Sequence, residues 1–394
     1  MSSPRIIIIG AGPAGLSLAQ GLRTLDVGVD IYERDNALNS RMQGYRVHME
    51  QQGVDALAEI LPADLYELFL ATAGVPLPER LMFDHHAVPI SNTTILNEGV
   101  HLSVDRMTLR EILTTGIEGS VHFGKAFASF EVTNDEVIVR FADGTSARCD
   151  ILVAADGVNS PVRQQFLPQT DLVDTGLRQL YGKIPLTDST RELFTDDMYT
   201  VMTLFVGPDK SFIGVAPHQP RGPVTDTAER IAPHGRLTQV DDYMVCTFGI
   251  HHRHLPWSDE ELRAMSQSDL KRMTLRLIDS WHPMVKRIVR TWDADTLLLN
   301  FLRTSVPIEP WPTGPVTFMG DAIHTMSPVG GMGTSVALRD ANLLTARIAE
   351  IIAGRPVLDA LGDYEKEMTV YGFDAVRTTA RNGQRLGQNP LPVA

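Results

Sequence analysis

The first 33 residues combine two apolar runs with a glycine turn in an order that few folds accommodate. Residues 5–9 (RIIII) form a β-branched run, which is typical of a strand buried on both faces of a parallel sheet. Gly10, Gly12 and Gly15 follow directly, and apolar residues then recur at helical spacing. Residues 27–33 (VGVDIYE) predict a second strand that ends in an acid. These segments together predict one βαβ unit and therefore an α/β fold.

The glycine spacing also predicts a binding site at this turn. Gly10 permits the tight turn, Gly12 lets a pyrophosphate approach the backbone, and Gly15 lets helix and strand pack closely. The N–H groups at the start of the helix then face the phosphates. Glu33 ends the next strand, where its carboxylate can bond a ribose hydroxyl. The pattern favours a dinucleotide site over a glycine turn that only packs, and it leaves NAD and FAD both open.

Composition excludes several classes of protein. The chain has 394 residues, of which 43% are hydrophobic, so a largely disordered chain is excluded. Its net charge of −13 makes nucleic acid an improbable partner. No apolar run approaches the ~20 residues of a membrane span. Only Cys149 and Cys246 are present, which excludes a disulfide scaffold and suits a reducing compartment. We therefore expect a soluble, cytoplasmic protein that binds neither membrane nor nucleic acid.

Two further motifs place carboxylates at the ends of apolar strands. Asp156-Gly157 follows a buried run, and the next residues include Ser160 as a helix cap. Gly320-Asp321 follows residues 316–319 and leads to Gly330, Gly331 and Gly333, after which a helical pattern begins. Each carboxylate can accept a hydrogen bond from a sugar-like or ribityl chain, although Asp156-Gly157 taken alone also suits a surface turn.

The pattern changes between residues 178 and 285, where strands alternate and carry Thr, Tyr and Phe as antiparallel strands do. This texture predicts a mostly antiparallel β-sheet domain inserted into a Rossmann-type domain, with a C-terminal helix. The predicted divisions are 1–75, 101–177 and 286–385 for a discontinuous nucleotide-binding domain, 76–100 and 178–285 for a substrate-binding domain, and 386–394 for a tail.

In this order and at these separations, the three motifs resemble the group A, single-component flavoprotein monooxygenases, the para-hydroxybenzoate hydroxylase-like family. The resemblance covers roughly residues 4–385 and is closest in outline to short members such as the tetracycline-inactivating monooxygenases. It implies FAD as cofactor and NADPH or NADH as a reductant that docks transiently, because no second glycine fingerprint is present. It also implies O₂ as co-substrate, with one oxygen atom inserted into an aromatic, polyketide-like or other conjugated molecule by hydroxylation or epoxidation through a flavin C4a-hydroperoxide. A monomer or homodimer is expected.

The resemblance also implies a set of site residues. Those expected to bind the cofactor are Gly10, Gly12, Ala14, Gly15, Glu33, Arg34, Arg41, Gly44, Arg106, Asp156, Asp321, Pro328, Gly331, Gly333 and Thr334. Residues expected beside the flavin, where the cofactor carries the chemistry, are Arg46, Pro328, Gly331 and Met332. Residues expected to line the substrate pocket are Tyr181, Met202, His218, Phe248 and Phe301. The chain departs from the family pattern at Ser327, where relatives have proline, and at Ser335, where they have asparagine.

Other functions remain as alternatives. A flavin-dependent reductase of the geranylgeranyl-reductase type shares the fingerprint and inserts no oxygen. A flavin-binding protein without turnover is a second alternative, whereas the four scattered tryptophans argue against a halogenase. His251, His252 and His254 suggest a metal, but no further ligand is specified nearby, so no metal is expected. His324 is expected to pack within its motif rather than to act as a base.

Overall fold

A computed structural model describes residues 3–40, 44–94, 99–133 and 136–392. Its first layer is a sheet with the strand order β17-β11-β1-β2-β7, in which every pairing is parallel. We call it the parallel sheet. Its strands are β1 (Ile6–Ile9), β2 (Val29–Tyr32), β7 (Val121–His122), β11 (Ile151–Ala154) and β17 (Val316–Phe318). The predicted βαβ unit and both later apolar strands are confirmed, and their carboxyl ends meet at one edge.

A second sheet, which we call the large sheet, has the order β16-β12-β15-β14-β13-β4-β5. Its strands are β4 (Leu77–Asp84), β5 (Pro89–Thr94), β12 (Leu172–Pro185), β13 (Thr200–Val206), β14 (Phe212–His218), β15 (Tyr243–His251) and β16 (Leu298–Ser305). All of its pairings are antiparallel except that between β4 and β13. The alternating texture predicted for the middle of the chain is therefore confirmed as mostly antiparallel sheet, and β16 extends this sheet with residues from beyond 285.

The remaining strands form two small antiparallel sheets. They are β3 (Arg46–Met49) with β6 (Leu102–Asp105), and β8 (Phe127–Val132) and β10 (Ser146–Cys149) on either side of β9 (Val137–Phe141). The β3–β6 ribbon matters for the site, because it lies against the large sheet: Ser103 Oγ donates to the carbonyl of Pro217 at 2.8 Å.

Helices cover the sheets. They are α1 (Pro13–Thr24), α2 (Gln51–Ile60), α3 (Ala63–Thr72), α4 (Arg106–Thr114), α5 (Pro161–Phe166), α6 (Asp188–Arg191), α7 (Val224–Ile231), α8 (Asp259–Ala264), α9 (Gln267–Leu277), α10 (Pro283–Thr291), α11 (Asp321–His324), α12 (Gly333–Ile352) and α13 (Val357–Arg385). Short 3₁₀ turns occur at Glu118–Ser120, Asp196–Met198, His252–His254 and Ala294–Thr296. The predicted helices after Gly333 and along the last forty residues are confirmed as α12 and α13.

Local sequence explains where helices begin. Pro161 starts α5, and Ser160 Oγ accepts from the Arg163 N–H at 2.9 Å, as the cap-and-proline pattern predicts. Asp105 caps α4 in the same manner through the N–H groups of Met107 and Thr108. By contrast, α1 and α12 begin without any side-chain cap, so their first N–H groups remain available to a ligand.

The large sheet separates two environments, because paired residues point to the same face and neighbours along a strand to opposite faces. On its outer face, Leu180, Ile213 and Phe248 pack with α8, α9 and α10 in a core that also contains Trp281 and Trp292. On its inner face, Ala216, Tyr243 and Val245 form a separate apolar cluster, against which Tyr181 and Met202 pack. We use the terms outer face and inner face in this sense below.

Replacing Ile8 with alanine should destabilise the protein strongly, because Ile8 is fully buried in β1 between β2 and β11. We expect a loss of about 3 kcal/mol in the free energy of unfolding, measured by chemical denaturation. Val132→Ala, in β8 at 46% exposure, is the control and should cost under about 1 kcal/mol. Equal losses in the two variants would contradict the central position of β1.

Candidate functional site

The turn between β1 and α1 is built around close backbone approaches. Gly10 has a φ of +109°, and a Cβ there would lie 2.4 Å from the carbonyl oxygen of Ala155 at the end of β11. A Cβ on Gly15 would lie 2.1 Å from the carbonyl oxygen of Gly10. Gly12 differs, because a Cβ there would meet nothing within 4 Å. Gly10 and Gly15 are thus required for packing, whereas Gly12 leaves open space at the uncapped start of α1.

Glu33 ties this turn to the end of the second strand. One carboxylate oxygen accepts from the Ala11 N–H at 2.9 Å and the other from the Asp35 N–H at 2.9 Å. Glu33 is 8% exposed, and each oxygen keeps a second lone pair for a hydroxyl group. Arg34, next in the chain, is exposed. The carboxylate therefore holds the turn in shape and can also meet a ribose.

The two later aspartates lie near guanidinium groups at the same edge of the parallel sheet. Burial raises the pKa of Asp321, while the nearby His324, Arg106 and Arg163 oppose the rise. Asp321 nevertheless remains exposed to solvent, as a carboxylate lining a deep open cleft does. Burial also raises the pKa of Asp156 to about 6, although one oxygen accepts from the Val162 N–H at 3.3 Å. The structure thus brings the predicted residues Arg106, Asp156 and Asp321 to one cleft.

A buried ion pair supports the Gly320-Asp321 turn from behind. Asp340 accepts from the Gly320 N–H and from His324 Nε2, both at 2.7 Å, and Tyr371 donates to its other oxygen. Burial alone would lower the pKa of His324, but the Asp340 carboxylate raises it above its ordinary value. Gly320 has a φ of +59°, which side chains rarely adopt. His324 is packed within its motif, as expected.

Residues 328–333, which we call the glycine loop, precede α12. Gly330 and Gly331 have positive φ angles, and the Gly331 N–H donates to the Pro328 carbonyl at 3.0 Å. Arg80 donates to the Gly330 carbonyl at 3.3 Å. A Cβ on Gly331 would lie 2.9 Å from Nδ1 of His48. The loop therefore runs directly beside β3 and β4, with the uncapped start of α12 behind it.

The inner face of the large sheet lies against Arg46, on β3. Arg46 Nε donates to Ser103 Oγ and to the Pro217 carbonyl, both at 3.0 Å. Tyr181 and Tyr243 lie close enough for their hydroxyls to influence the pKa of Arg46, which burial lowers to about 10. His218 pairs with Tyr243 across the strands, with ring centroids 5.0 Å apart. Arg46 is thus surrounded by aromatic and polar side chains.

Three of the predicted substrate residues come together here and two do not. Tyr181, Met202 and His218 lie on the inner face, by their pairings with Thr247, Arg80 and Tyr243. Phe248 and Phe301 pack on the outer face, away from that group. Adjacent residues of one strand point to opposite faces, so placing Phe248 depends on a register that sequence alone does not supply.

Several other predicted residues have defined places. Gly44 has a φ of +97° and open space around its Cα. Ala14 lies in the first turn of α1, and Met332, Gly333 and Thr334 lie at the start of α12. Arg41 falls outside the described residues. Ser335, where relatives have asparagine, lies against Gly53 of α2, with its Oγ 2.8 Å from where a Cβ of Gly53 would be.

Sequence reasoning missed Arg80 and Tyr243. Tyr243 donates to Asp105 at 2.9 Å and lies within the inner-face cluster. Arg80 is paired with Met202 and reaches the glycine loop. The available signal was a lone arginine inside a strand with apolar neighbours, Leu81 and Met82, but no pattern linked that strand to the glycine loop 250 residues later.

Two findings concern other kinds of site. Within the described ranges, no group of three or more His, Cys, Asp or Glu side chains is placed to hold a metal ion. His251 instead bonds Asn389 at 3.1 Å. Among the helices that the structure describes, none is long and apolar enough to cross a membrane.

The cleft joins two uncapped helix starts, an acid at the end of the second strand and two downstream aspartates, which together define a Rossmann-type dinucleotide site. The chain belongs to the FAD binding domain family, whose model matches residues 4–379. The resemblance to flavoprotein monooxygenases is thereby confirmed, and the family supports FAD as the dinucleotide.

Individual relatives agree with this assignment. The chain is 31% identical over 372 residues to the dual O-methyltransferase/FAD-dependent monooxygenase elcB of Phaeosphaeria nodorum, covering 85% of this chain and 39% of that protein. The chain therefore spans well under half the length of that relative.

Solved structures share the fold. A Photorhabdus luminescens protein described as an FAD-containing monooxygenase has a TM-score of 0.84 and 28% identity, covering 98% of each chain. The tetracycline destructase Tet(51) has a TM-score of 0.68 at 17% identity, covering 98% of this chain and 92% of its own, which shows likeness of fold alone.

Two glycine variants should separate packing from cofactor binding. Gly12→Ala adds a methyl group where the structure has open space, so we expect normal folding but FAD affinity reduced at least about tenfold. Gly15→Ala places a Cβ against an immovable carbonyl and should lower the thermal unfolding midpoint as well. Flavin content after purification and a melting curve measure both effects. An alanine at position 12 that left FAD affinity unchanged would contradict the assignment.

Asp156 should make the stability of the flavin-free protein depend on pH. Its folded pKa of about 6 lies above the ordinary 3.8, so the folded state holds the proton more tightly and stability falls as pH rises from about 4 to 6. Asp156→Asn removes this loss and should gain on the order of 2 kcal/mol over wild type at pH 7.5. Denaturant unfolding at pH 4.5 and 7.5 measures the difference, and a gain independent of pH would contradict the raised pKa.

Proposed function

We propose that this protein is an FAD-dependent monooxygenase that uses NADPH or NADH and O₂ to insert one oxygen atom into a small conjugated molecule by hydroxylation or epoxidation. The observation that carries the proposal is the junction of two differently equipped surfaces. A dinucleotide cleft ends at the glycine loop, and the glycine loop contacts Arg80 at the edge of a sheet face lined by Tyr181, Tyr243 and Met202.

Specific residues would hold the flavin. The open space at Gly12 and the uncapped start of α1 fit the pyrophosphate, with Glu33 within reach of the adenosine ribose. Arg106, Asp156 and Asp321 suit the ribityl and phosphate portions, because one Asp156 oxygen is buried without a hydrogen-bond partner among the described residues. The glycine loop and the start of α12, up to Thr334, offer N–H groups and a positive dipole end to the ring edge.

When bound, FAD would supply the redox and oxygen-transfer chemistry. The chain itself would orient the substrate and exclude water from the reacting atoms. The inner face is suited to this, because Ala216, Tyr243 and Val245 are almost fully buried there and form an apolar surface. The polar atoms that interrupt this surface, chiefly Arg46 and His218, would fix the orientation of the substrate.

We also propose the division of labour between the two sheets. The cofactor segments would be 1–75 and 101–177 with the part that includes α12 and α13, and the substrate segments would be 76–100 and 178–285. The strand β16 pairs with β12 of the large sheet, and α10 packs in the outer-face core, so residues 286–305 are counted with the substrate unit in this proposal.

The reductant would dock transiently. The sequence has one glycine fingerprint, which the flavin would occupy. A monooxygenase of this arrangement should therefore show ligand-stimulated nicotinamide oxidation rather than tight nicotinamide binding.

The test is oxygen incorporation. FAD-loaded protein should oxidise NADPH or NADH faster in the presence of an accepted aromatic or polyketide-like compound, and the product made under ¹⁸O₂ should gain one labelled oxygen atom. A panel of such compounds, analysed by mass spectrometry, provides the measurement. Peroxide formation without any labelled product across the panel would contradict the proposal.

The reductase alternative makes the opposite prediction. A flavin-dependent reductase of the geranylgeranyl-reductase type would turn over without oxygen, and its product would gain hydrogen. Relatives described as monooxygenases favour oxygen insertion. Anaerobic turnover with a reduced product would decide for the reductase.

A further inference from the structure

Two guanidinium groups approach the inner face from different elements. Arg46 lies on β3 and Arg80 on β4, and repulsion between their charges is felt at Arg46. Arg46 bonds Ser103 and the Pro217 carbonyl through Nε, but its Nη2 is buried and meets no acceptor among the described residues. Arg80 contacts the carbonyl of Gly330 in the glycine loop.

Neither arginine has an acidic partner in the part of the chain that the structure describes: no ion pair of 4.0 Å or less involves either one. Asp105 is paired with Arg46 in the β3–β6 register, yet its oxygens accept from Tyr243 Oη and from the N–H groups at the start of α4. Glu50 acts on Arg80 only from beyond ion-pair distance. The two positive charges are therefore not neutralised by the protein.

Such an arrangement is costly unless a ligand completes it. Burial disfavours a charged group that has no partner, and a neighbouring charge of the same sign adds to the cost. Burial lowers the pKa of both Arg46 and Arg80. The chain as a whole carries a charge of −13, so a pair of unneutralised cations is not a consequence of general basicity.

The other titratable groups here do not supply a negative charge. Burial lowers the pKa of His48 to about 2 and that of His218 to about 4, so both rings are neutral near pH 7. His101 bonds His48 at 3.0 Å, and its pKa is lowered too. Burial raises the pKa of Tyr181 to about 12 and that of Tyr243 still further, so both hydroxyls stay protonated.

We propose that the substrate carries an oxyanion, either a carboxylate or an ionised phenol or enol, which Arg46 and Arg80 bind on the inner face beside the glycine loop. This inference rests on the proposed function and narrows its substrate class. The oxyanion would accept from the unpartnered Nη2 of Arg46, and Tyr181, Tyr243 and Met202 would contact the conjugated body of the molecule. The arginines would hold the substrate in place and fix its orientation.

Matched pairs of ligands test the charge requirement without any turnover. Benzoate with benzamide, and 4-nitrophenol with 4-nitroanisole, differ mainly in the oxyanion. We expect FAD-loaded wild-type protein to bind at least one anion about tenfold more tightly than its neutral counterpart, as measured by titration calorimetry. The first pair reports on carboxylates and the second on phenolates. Equal affinity within both pairs would overturn the proposal.

Variants locate the site. Arg46→Met and Arg80→Met should abolish the preference for the anion, whereas Arg80→Lys should keep part of it because the charge remains. Arg290→Met is the control: Arg290 is exposed on α10, behind the outer face, and its loss removes the same charge. An unchanged preference in both methionine variants would overturn the proposal, as would an equal loss in Arg290→Met.

The outcome is separable from that of the proposed function. Flavin absorbance of each variant shows whether FAD remains bound, and loss of FAD in Arg80→Met would mean that the arginine serves the cofactor instead, which contradicts the proposal. Preference for anions without oxygen incorporation would leave the site intact and refute the monooxygenase. Oxygen incorporation into neutral compounds alone would do the reverse.

Discussion

The architecture depends on the contact between the first glycine turn and the backbone at the end of β11. The 2.4 Å separation between a Cβ at Gly10 and the carbonyl oxygen of Ala155 allows only glycine there. The same turn is held by the Glu33 carboxylate on the Ala11 N–H, so three strand ends meet within one hydrogen-bonded unit. Asp156 follows Ala155 directly, and the approach that shapes the turn therefore also places the second motif beside it.

The later motif is held to this edge by a different interaction. Asp340, fully buried in α12, accepts from Gly320 and His324 and so fixes the start of α11 relative to α12. The glycine loop lies between these two helices, and its position beside Arg80 and His48 follows from that anchoring. A cleft made of segments distant in sequence thus has a small number of polar contacts at its corners.

Much of the flavin side could be predicted from the sequence because its signals are local. The buried run before Gly10, the spacing of the glycines and the cap at Ser160 each act within one or two turns of chain, and the structure places all of them as expected. The large sheet could be predicted only as texture. Phe248 was expected in the pocket and lies on the outer face, whereas Tyr243 lies inside, and only the register of β15 distinguishes them. Arg80 depends on the non-local, parallel pairing of β4 with β13, for which the sequence contains no short-range signal.

The central claim is that the edge of the parallel sheet binds a complete flavin dinucleotide. Titration of flavin-free protein with FAD and with FMN, followed by quenching of flavin fluorescence, tests this claim most directly. The account predicts one FAD per chain and affinity for FMN lower by about a hundredfold or more, because FMN lacks the pyrophosphate and adenosine that the Gly12 turn and Glu33 would hold. Equal affinity for FMN and FAD, or no saturable binding of FAD, would contradict it.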